Sequence, residues 1–158
     1  MSDQAETAQA TAKAIYLADY TPPGFTTTQT DLHFDICDGQ TTVSSTLHIE
    51  RLDAAADSIE LLGEELTLVS VALDGRELAT NEYDLTNRSL VIFNLAERHQ
   101  LQIVTQICPE ENTALEGLYH SSSMYCTQCE AEGFRKITYY QDRPDVLAKF
   151  TTTIVADA

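Results

Sequence analysis

Basic residues are scarce in this chain: 9 Lys and Arg stand against 25 Asp and Glu, a formal net charge of -16. Such a field repels phosphate backbones and anionic lipid heads, so it points away from nucleic-acid and membrane partners. The acids are scattered rather than gathered in one block, as on a well-solvated surface. No apolar run approaches the ~20 residues of a membrane span. The first residues, Met1-Ser2-Asp3-Gln4-Ala5-Glu6-Thr7, have neither the basic nor the apolar region of a secretory signal. A soluble, cytoplasmic protein is expected. His33, His48, His99 and His120 are never followed by Glu and never spaced by four, so the H-E-x-x-H helix that carries a metal and a general base is missing. Phosphate-cradling glycine loops, a G-x-S-x-G elbow and basic-aromatic interleaving are missing too. Only four cysteines are present, Cys37, Cys108, Cys126 and Cys129, and a chain of 158 residues buries enough surface to fold without staples, so they are expected as thiols.

What is there is alternation. Residues 1–13 are small and polar and read as a flexible tail, with residues 14–158 as one β-domain. Leu32, Phe34 and Ile36 alternate with His33 and Asp35. Asp38-Gly39 then gives a hairpin turn, and Val43, Ser45, Leu47 and Ile49 alternate with polar neighbours. Leu52–Asp57 reads as a loop and Ser58–Leu62 as extended. Leu66–Leu73 stops at a second hairpin signal, Asp74-Gly75, with a return over Glu77–Ala79. Tyr83–Leu85 and Ser89–Phe93 flank a third turn, Thr86-Asn87-Arg88. Leu101, Ile103, Thr105 and Ile107 make a further strand, which Pro109 ends because it cannot donate to a ladder. Beyond Pro109 the period is lost. Extended pieces and a short helical turn near Phe134–Tyr140 are expected there, followed by a β-branched strand over Lys149–Val155. The predicted fold class is all-β: an antiparallel sandwich or saddle of many short strands.

Three segments carry more than pattern: Leu115-Glu116-Gly117-Leu118-Tyr119; Thr127-Gln128-Cys129-Glu130-Ala131-Glu132-Gly133-Phe134-Arg135; and Asp142-Arg143-Pro144-Asp145-Val146-Leu147-Ala148-Lys149-Phe150. The second contains T-Q-x-E-x-x-x-x-R. Together they resemble the bacterial branch of the zinc aminopeptidase N family, in which this region belongs to the amino-terminal β-domain and lines the substrate site. The resemblance is specific over residues 112–154 and weaker before them. It implies a fragment of a larger peptidase whose catalytic domain, on the same polypeptide, holds the zinc. The chain itself is expected to hold no metal, to have no catalytic residue and to be inactive alone.

The same resemblance assigns the free α-ammonium of a peptide substrate to Glu130. An α-amino group has a reference pKa of about 7.7–8.0, so it is largely charged at neutral pH, and a carboxylate is its natural partner. Gln128, two residues earlier, shares that side if the segment is extended and is a second candidate for substrate contact. Arg135 is read as structural support, able to grip carboxylates in a bidentate manner. Tyr139 and Tyr140 read as packing residues. Cys126-x-x-Cys129 reads as structural thiols, because a structural zinc wants four ligands and no second pair exists. A missing domain is expected to leave an apolar patch near residues 112–140. The competing reading is a stand-alone β-sandwich binding or scaffold module without a peptidase role.

Overall fold

A computed structural model describes residues 16–156, so the tail expected over residues 1–13 lies outside the described residues. Eleven strands follow in chain order: β1 Phe25–Cys37, β2 Gln40–Arg51, β3 Ile59–Leu62, β4 Thr67–Leu73, β5 Arg76–Glu77, β6 Tyr83–Leu85, β7 Ser89–Ile92, β8 Arg98–Ile107, β9 Gly117–Ser121, β10 Met124–Gln128 and β11 Lys149–Ala156. They form a six-stranded sheet of order β11-β1-β2-β8-β4-β5, a three-stranded sheet β3-β7-β6 and the two-stranded hairpin β9-β10. The all-β expectation is met.

The turn chemistry explains the connections. Cys37 faces Gln40 across Asp38-Gly39, and Leu73 faces Arg76 across Asp74-Gly75. Asp74 and Gly75 sit at φ 52° and 81°, the left-handed pair that a two-residue hairpin needs to match strand twist. In the third turn the Thr86 hydroxyl accepts from the amides of Arg88 and Ser89.

Several expectations need correction. β11 runs parallel to β1, from Gln29 against Lys149 to Ile36 against Ala156, so the large sheet is mixed rather than purely antiparallel. A parallel neighbour needs a long crossover, and residues 108–148 supply it. The return after Gly75 pairs only over Arg76–Glu77, and β7 stops at Ile92, one residue short of Phe93. The helical turn shrinks to a single 3-10 turn, Phe134–Lys136. A hairpin, β9-β10, occupies part of the stretch expected as loose extended pieces; its turn is Ser122-Ser123, with Ser122 at φ 58°, and carries no Gly, Asn or Asp to announce it.

Alternate residues of the large sheet face inward and are covered in two places. Phe25, Leu47, Ile49, Val71, Leu101 and Ile103 pack against Ile59, Leu61, Leu90 and Ile92 of the small sheet, with Tyr139 and Tyr140 in the same cluster. Leu32, Phe34, Val43 and Ile107 pack instead against Leu118 of β9 and Ile137. Residues 137–141 thread between these clusters as a strap. Polar bonds hold the strap: Thr27 donates to the Gln141 side-chain oxygen at 3.0 Å, and the Gln141 amide donates to the Phe25 carbonyl at 2.8 Å. Ser45 and Thr138 hydroxyls meet at 3.0 Å, and Thr105 donates to the Ile137 carbonyl at 3.3 Å. Leu62 and Tyr140 exchange both backbone bonds.

The strap's far end is latched to the first described residues. Arg143 donates from Nε and Nη2 to the two Asp145 oxygens at 2.9 and 2.7 Å, and from Nη2 to the Thr21 carbonyl, while the Tyr20 hydroxyl donates to Asp145 at 2.9 Å. The Arg143 bonds hold the Asp145 carboxyl down at about 2, below the ~3.9 of a free aspartate. A depressed folded value means that the contribution to stability is complete above the unfolded value and is lost as pH falls from ~4 through ~2. Chemical denaturation across that window should show the wild type losing stability more steeply than Asp145→Asn. Glu82, held near 2 by Arg76, leaves some slope in the variant, and equal slopes would contradict the latch.

Candidate functional site

The segment Gly117–Asp142 gathers all three residues singled out from the sequence. β9 and β10 pair from Ser121 against Met124 to Gly117 against Gln128, so the hairpin delivers Gln128 at its open end. The chain then turns through residues 130–133 into the 3-10 turn. Gly117 and Gly133 make this possible. A Cβ on Gly133 would lie 2.4 Å from the Gln128 carbonyl oxygen and 3.0 Å from the Cys129 Cα. One on Gly117, which sits at φ 72°, would lie 2.7 Å from the Lys136 Cβ.

Glu130 is exposed at the apex of this turn, and its carboxylate takes no hydrogen bond or ion pair among the described residues. Gln128 is exposed as well. Because β10 ends at Gln128, the two are not alternate residues of one strand; instead the Gln128 side-chain amide donates to the Glu130 backbone carbonyl at 3.3 Å. The side chain of one candidate thus braces the backbone of the other. The Glu130–Ala131 peptide is cis.

Arg135 lies half-buried beneath the turn. Its Nε donates to Asp142 Oδ2 at 2.9 Å, Nη2 donates to the Asp142 carbonyl at 3.2 Å, and Nη1 stands 3.3 Å from Glu132 Oε2. The Arg135 amide also donates to Asp142 Oδ2, and the Arg135 carbonyl accepts from the Glu64 amide. The guanidinium therefore ties the turn to the strap and, through Glu132, to the apex. Mostly enclosed side chains make the Arg135–Asp142 pair stronger than a typical surface ion pair.

Three contributors were not legible beforehand. Lys136 is buried, with its ammonium 3.1 Å from Glu64 and 2.9 Å from Glu65. Burial alone would push its pKa down, but the bonds to Glu65 and Glu64 outweigh burial and leave it raised. A lysine in a polar stretch looks solvated; only the Glu64-Glu65 pair, 71 residues away, hints at a partner. Asp142 opens one of the family-like segments, whose sequence gives no sign of its pairing with Arg135. Tyr125 on β10 donates to Glu110 at 2.5 Å, which lifts the phenol to about 12, and its ring lies tilted against His120 with centroids 4.9 Å apart. Cys126 and Cys129 are half-buried, and burial, with Asp142 adding to it, raises the Cys129 thiol. Among the described residues no group of three or more His, Cys, Asp or Glu could hold a metal ion. Exposed apolar side chains do appear in the expected stretch, Leu115, Met124 and Tyr125, but others lie on or near β11, at Leu147, Phe150, Ile154 and Val155.

The class that this fold defines is an all-β domain that carries T-Q-x-E-x-x-x-x-R on a turn braced against its sheets. The chain belongs to the peptidase M1 N-terminal domain family, whose model matches residues 26–158. It is 48% identical over 145 residues to aminopeptidase N of Escherichia coli (strain K12), an alignment covering 92% of this chain and 16% of that protein. It is 45% identical over 147 residues to aminopeptidase N of Caulobacter vibrioides, covering 93% and 17%. The chain thus spans about a sixth of the length of these relatives. Among solved structures, Legionella pneumophila aminopeptidase A in complex with aspartic acid aligns with a TM-score of 0.83 and 32% identity over 89% of this chain and 17% of that one. The M1 zinc metallopeptidase of Deinococcus radiodurans shares the fold at a TM-score of 0.69 and 17% identity, covering 83% of this chain and 32% of that one.

The glycine contacts are directly testable. Gly133→Ala sets a methyl against backbone atoms that cannot step aside. It should lower the unfolding free energy by about 1–3 kcal/mol and shift the amide resonances of residues 128–133. Unchanged stability and spectra would show that the turn is not close-packed.

Proposed function

We propose that this chain is the substrate-amine-recognition domain of a zinc aminopeptidase, working on peptide N-termini together with a catalytic domain of the same polypeptide. Glu130 clasps the α-ammonium. Gln128 holds the Glu130 backbone in place and presents its amide oxygen beside the substrate, and Arg135 braces both from below through Asp142. The observation that carries this reading is the Glu130 carboxylate: exposed, without a hydrogen-bond or ion-pair partner among the described residues, and mounted on a turn fastened at both ends. A carboxylate so placed measures the substrate from its charged end. It accepts a peptide whose first residue carries the amine and leaves no place for residues before it.

Support comes from family membership and from the aminopeptidase N relatives, whose names state the activity of those proteins. Zinc enters through the solved M1 zinc metallopeptidases, and in the proposed whole enzyme it belongs to the catalytic domain. No helix among the described residues is long and apolar enough to cross a membrane. A cytoplasmic site of action remains part of the proposal.

In the intact enzyme, Glu130→Ala should lower kcat/KM for aminoacyl substrates about ten- to hundredfold. A charge-assisted hydrogen bond shielded from water is worth about 1.5–3 kcal/mol, and less where solvent screens it. A variant within twofold of wild type would contradict the assignment. The 158-residue chain alone should leave a fluorogenic aminoacyl substrate uncut even with added zinc, and chelator-sensitive turnover would overturn the division of labour.

A further inference from the structure

Residues 93–97 carry the chain from β7 of the small sheet to β8 of the large one. Leu95, in the middle of this link, is buried in the core; its amide donates to the Asp57 carbonyl at 2.9 Å and its carbonyl accepts from the Arg51 guanidinium. The Glu97 carbonyl accepts from the Arg51 amide at 2.8 Å. A further bond of the link is made to a titratable ring: the Ala96 amide donates to Nε2 of His99 at 2.7 Å. Nδ1 of the same ring lies 2.6 Å from Oδ2 of Asp74, in the left-handed turn between β4 and β5. His99 stands opposite buried Ile49 of β2, and its side chain is only 12% exposed.

These two contacts fix where the ring proton sits. A neutral imidazole has one N–H and one lone pair, and a backbone amide can only donate. Nε2 therefore supplies the lone pair, and Nδ1 carries the hydrogen that it donates to Asp74. The other tautomer sets N–H against N–H at Ala96 and a lone pair against a carboxylate at Asp74. Asp74 is held in place, because its Oδ1 accepts from the Gln100 amide at 2.8 Å and its own amide donates to the Gln100 carbonyl at 2.8 Å. The Gln100 amide first, and the His99 ring next, keep the Asp74 carboxyl below the usual aspartate range, so it is ionised at neutral pH.

We propose that His99 is a proton-operated clasp on the link between the two sheets: the neutral ring, protonated on Nδ1, holds the Ala96 amide, and protonation at Nε2 releases it. When the Nε2 lone pair takes a proton from solvent, both ring nitrogens become donors and the Ala96 N–H faces one of them. Nδ1 keeps its bond to Asp74 and gains an opposite charge there, so the ring stays on the β4–β5 turn while the link lets go. The surrounding charges leave this arrangement to His99. Arg98, Glu50 and His48 line the groove beside His99 and Asp74. Arg98 pairs with Glu50 at 3.4 Å, and His48 meets Asp31 at 3.7 Å rather than a backbone amide. Arg51, across the link, is cationic at every working pH, and Glu97 on the link is exposed.

The test is NMR of the chain labelled with 15N at histidine and alanine, followed from pH 8 to pH 5, the span over which histidines change charge. At pH 8, His99 Nδ1 should give the shift of a protonated ring nitrogen and Nε2 that of a bare one. On acidification the Ala96 amide proton should move upfield with the same midpoint as the His99 ring, while His48 titrates without it. Hydrogen exchange over residues 94–97 of the intact enzyme, corrected for the intrinsic effect of pH, should lose about two- to tenfold protection across the same span, the worth of one hydrogen bond. His99→Asn, which keeps a donor for Asp74 and offers nothing to Ala96, should be unprotected at both ends. A ring protonated on Nε2 at pH 8, a ring that titrates while Ala96 stays still, or one that takes up no proton before the chain unfolds would overturn the proposal.

Discussion

The structure depends on a strap of irregular chain, residues 137–141, fastened by buried hydrogen bonds across the inner face of a β-sheet. Thr27, Ser45 and Thr105 occupy inward positions where the strand pattern otherwise places Leu, Ile and Val, and each meets the strap. Net contributions of about 0.5–1.5 kcal/mol per bond are modest. Losing one partner is worse, because a buried donor or acceptor left alone costs about 1–3 kcal/mol. The strap therefore has one register. Apolar contacts alone would let it slide, whereas paired polar groups at set positions do not.

From that registration the candidate site follows mechanically. Tyr140 pairs with Leu62, Asp142 receives Arg135, Arg135 reaches back to Glu132, and the Gly133–Gly117 contact seats the β9-β10 hairpin on the turn. Lys136 fixes the same turn from the other side through Glu64 and Glu65. A rigid support of this kind is what a small recognition group needs, since a carboxylate loosely held loses entropy each time it engages a ligand.

Much of the sheet was legible because its physics is local. Period-two alternation identifies β1 and β2, whose inward positions are where the pattern puts them, and a second Asp-Gly turn marks the end of β4, where a bulge between Leu68 and Ser70 breaks the alternation. The parallel placement of β11 was not legible, since strand direction is decided by a crossover whose course depends on contacts far apart in sequence. The β9-β10 hairpin was hidden by a Ser-Ser turn. At the site, Glu130, Gln128 and Arg135 came from motif resemblance, not from periodicity. Their support was invisible for a physical reason: Lys136 with Glu64, and Gln141 with Thr27, are pairs made only when the chain folds back on itself, and nothing in their own neighbourhoods distinguishes them from solvated polar residues.

The role proposed for the Glu130 carboxylate is to recognise a positive charge on the substrate's first residue. The most direct measurement is the ratio of kcat/KM for an aminoacyl substrate to that for its des-amino analogue, in the intact enzyme and in its Glu130→Gln form, which keeps shape and removes charge. The wild type should show a large ratio that collapses in the variant through loss on the amine-bearing substrate alone. A ratio that survives the substitution would contradict it.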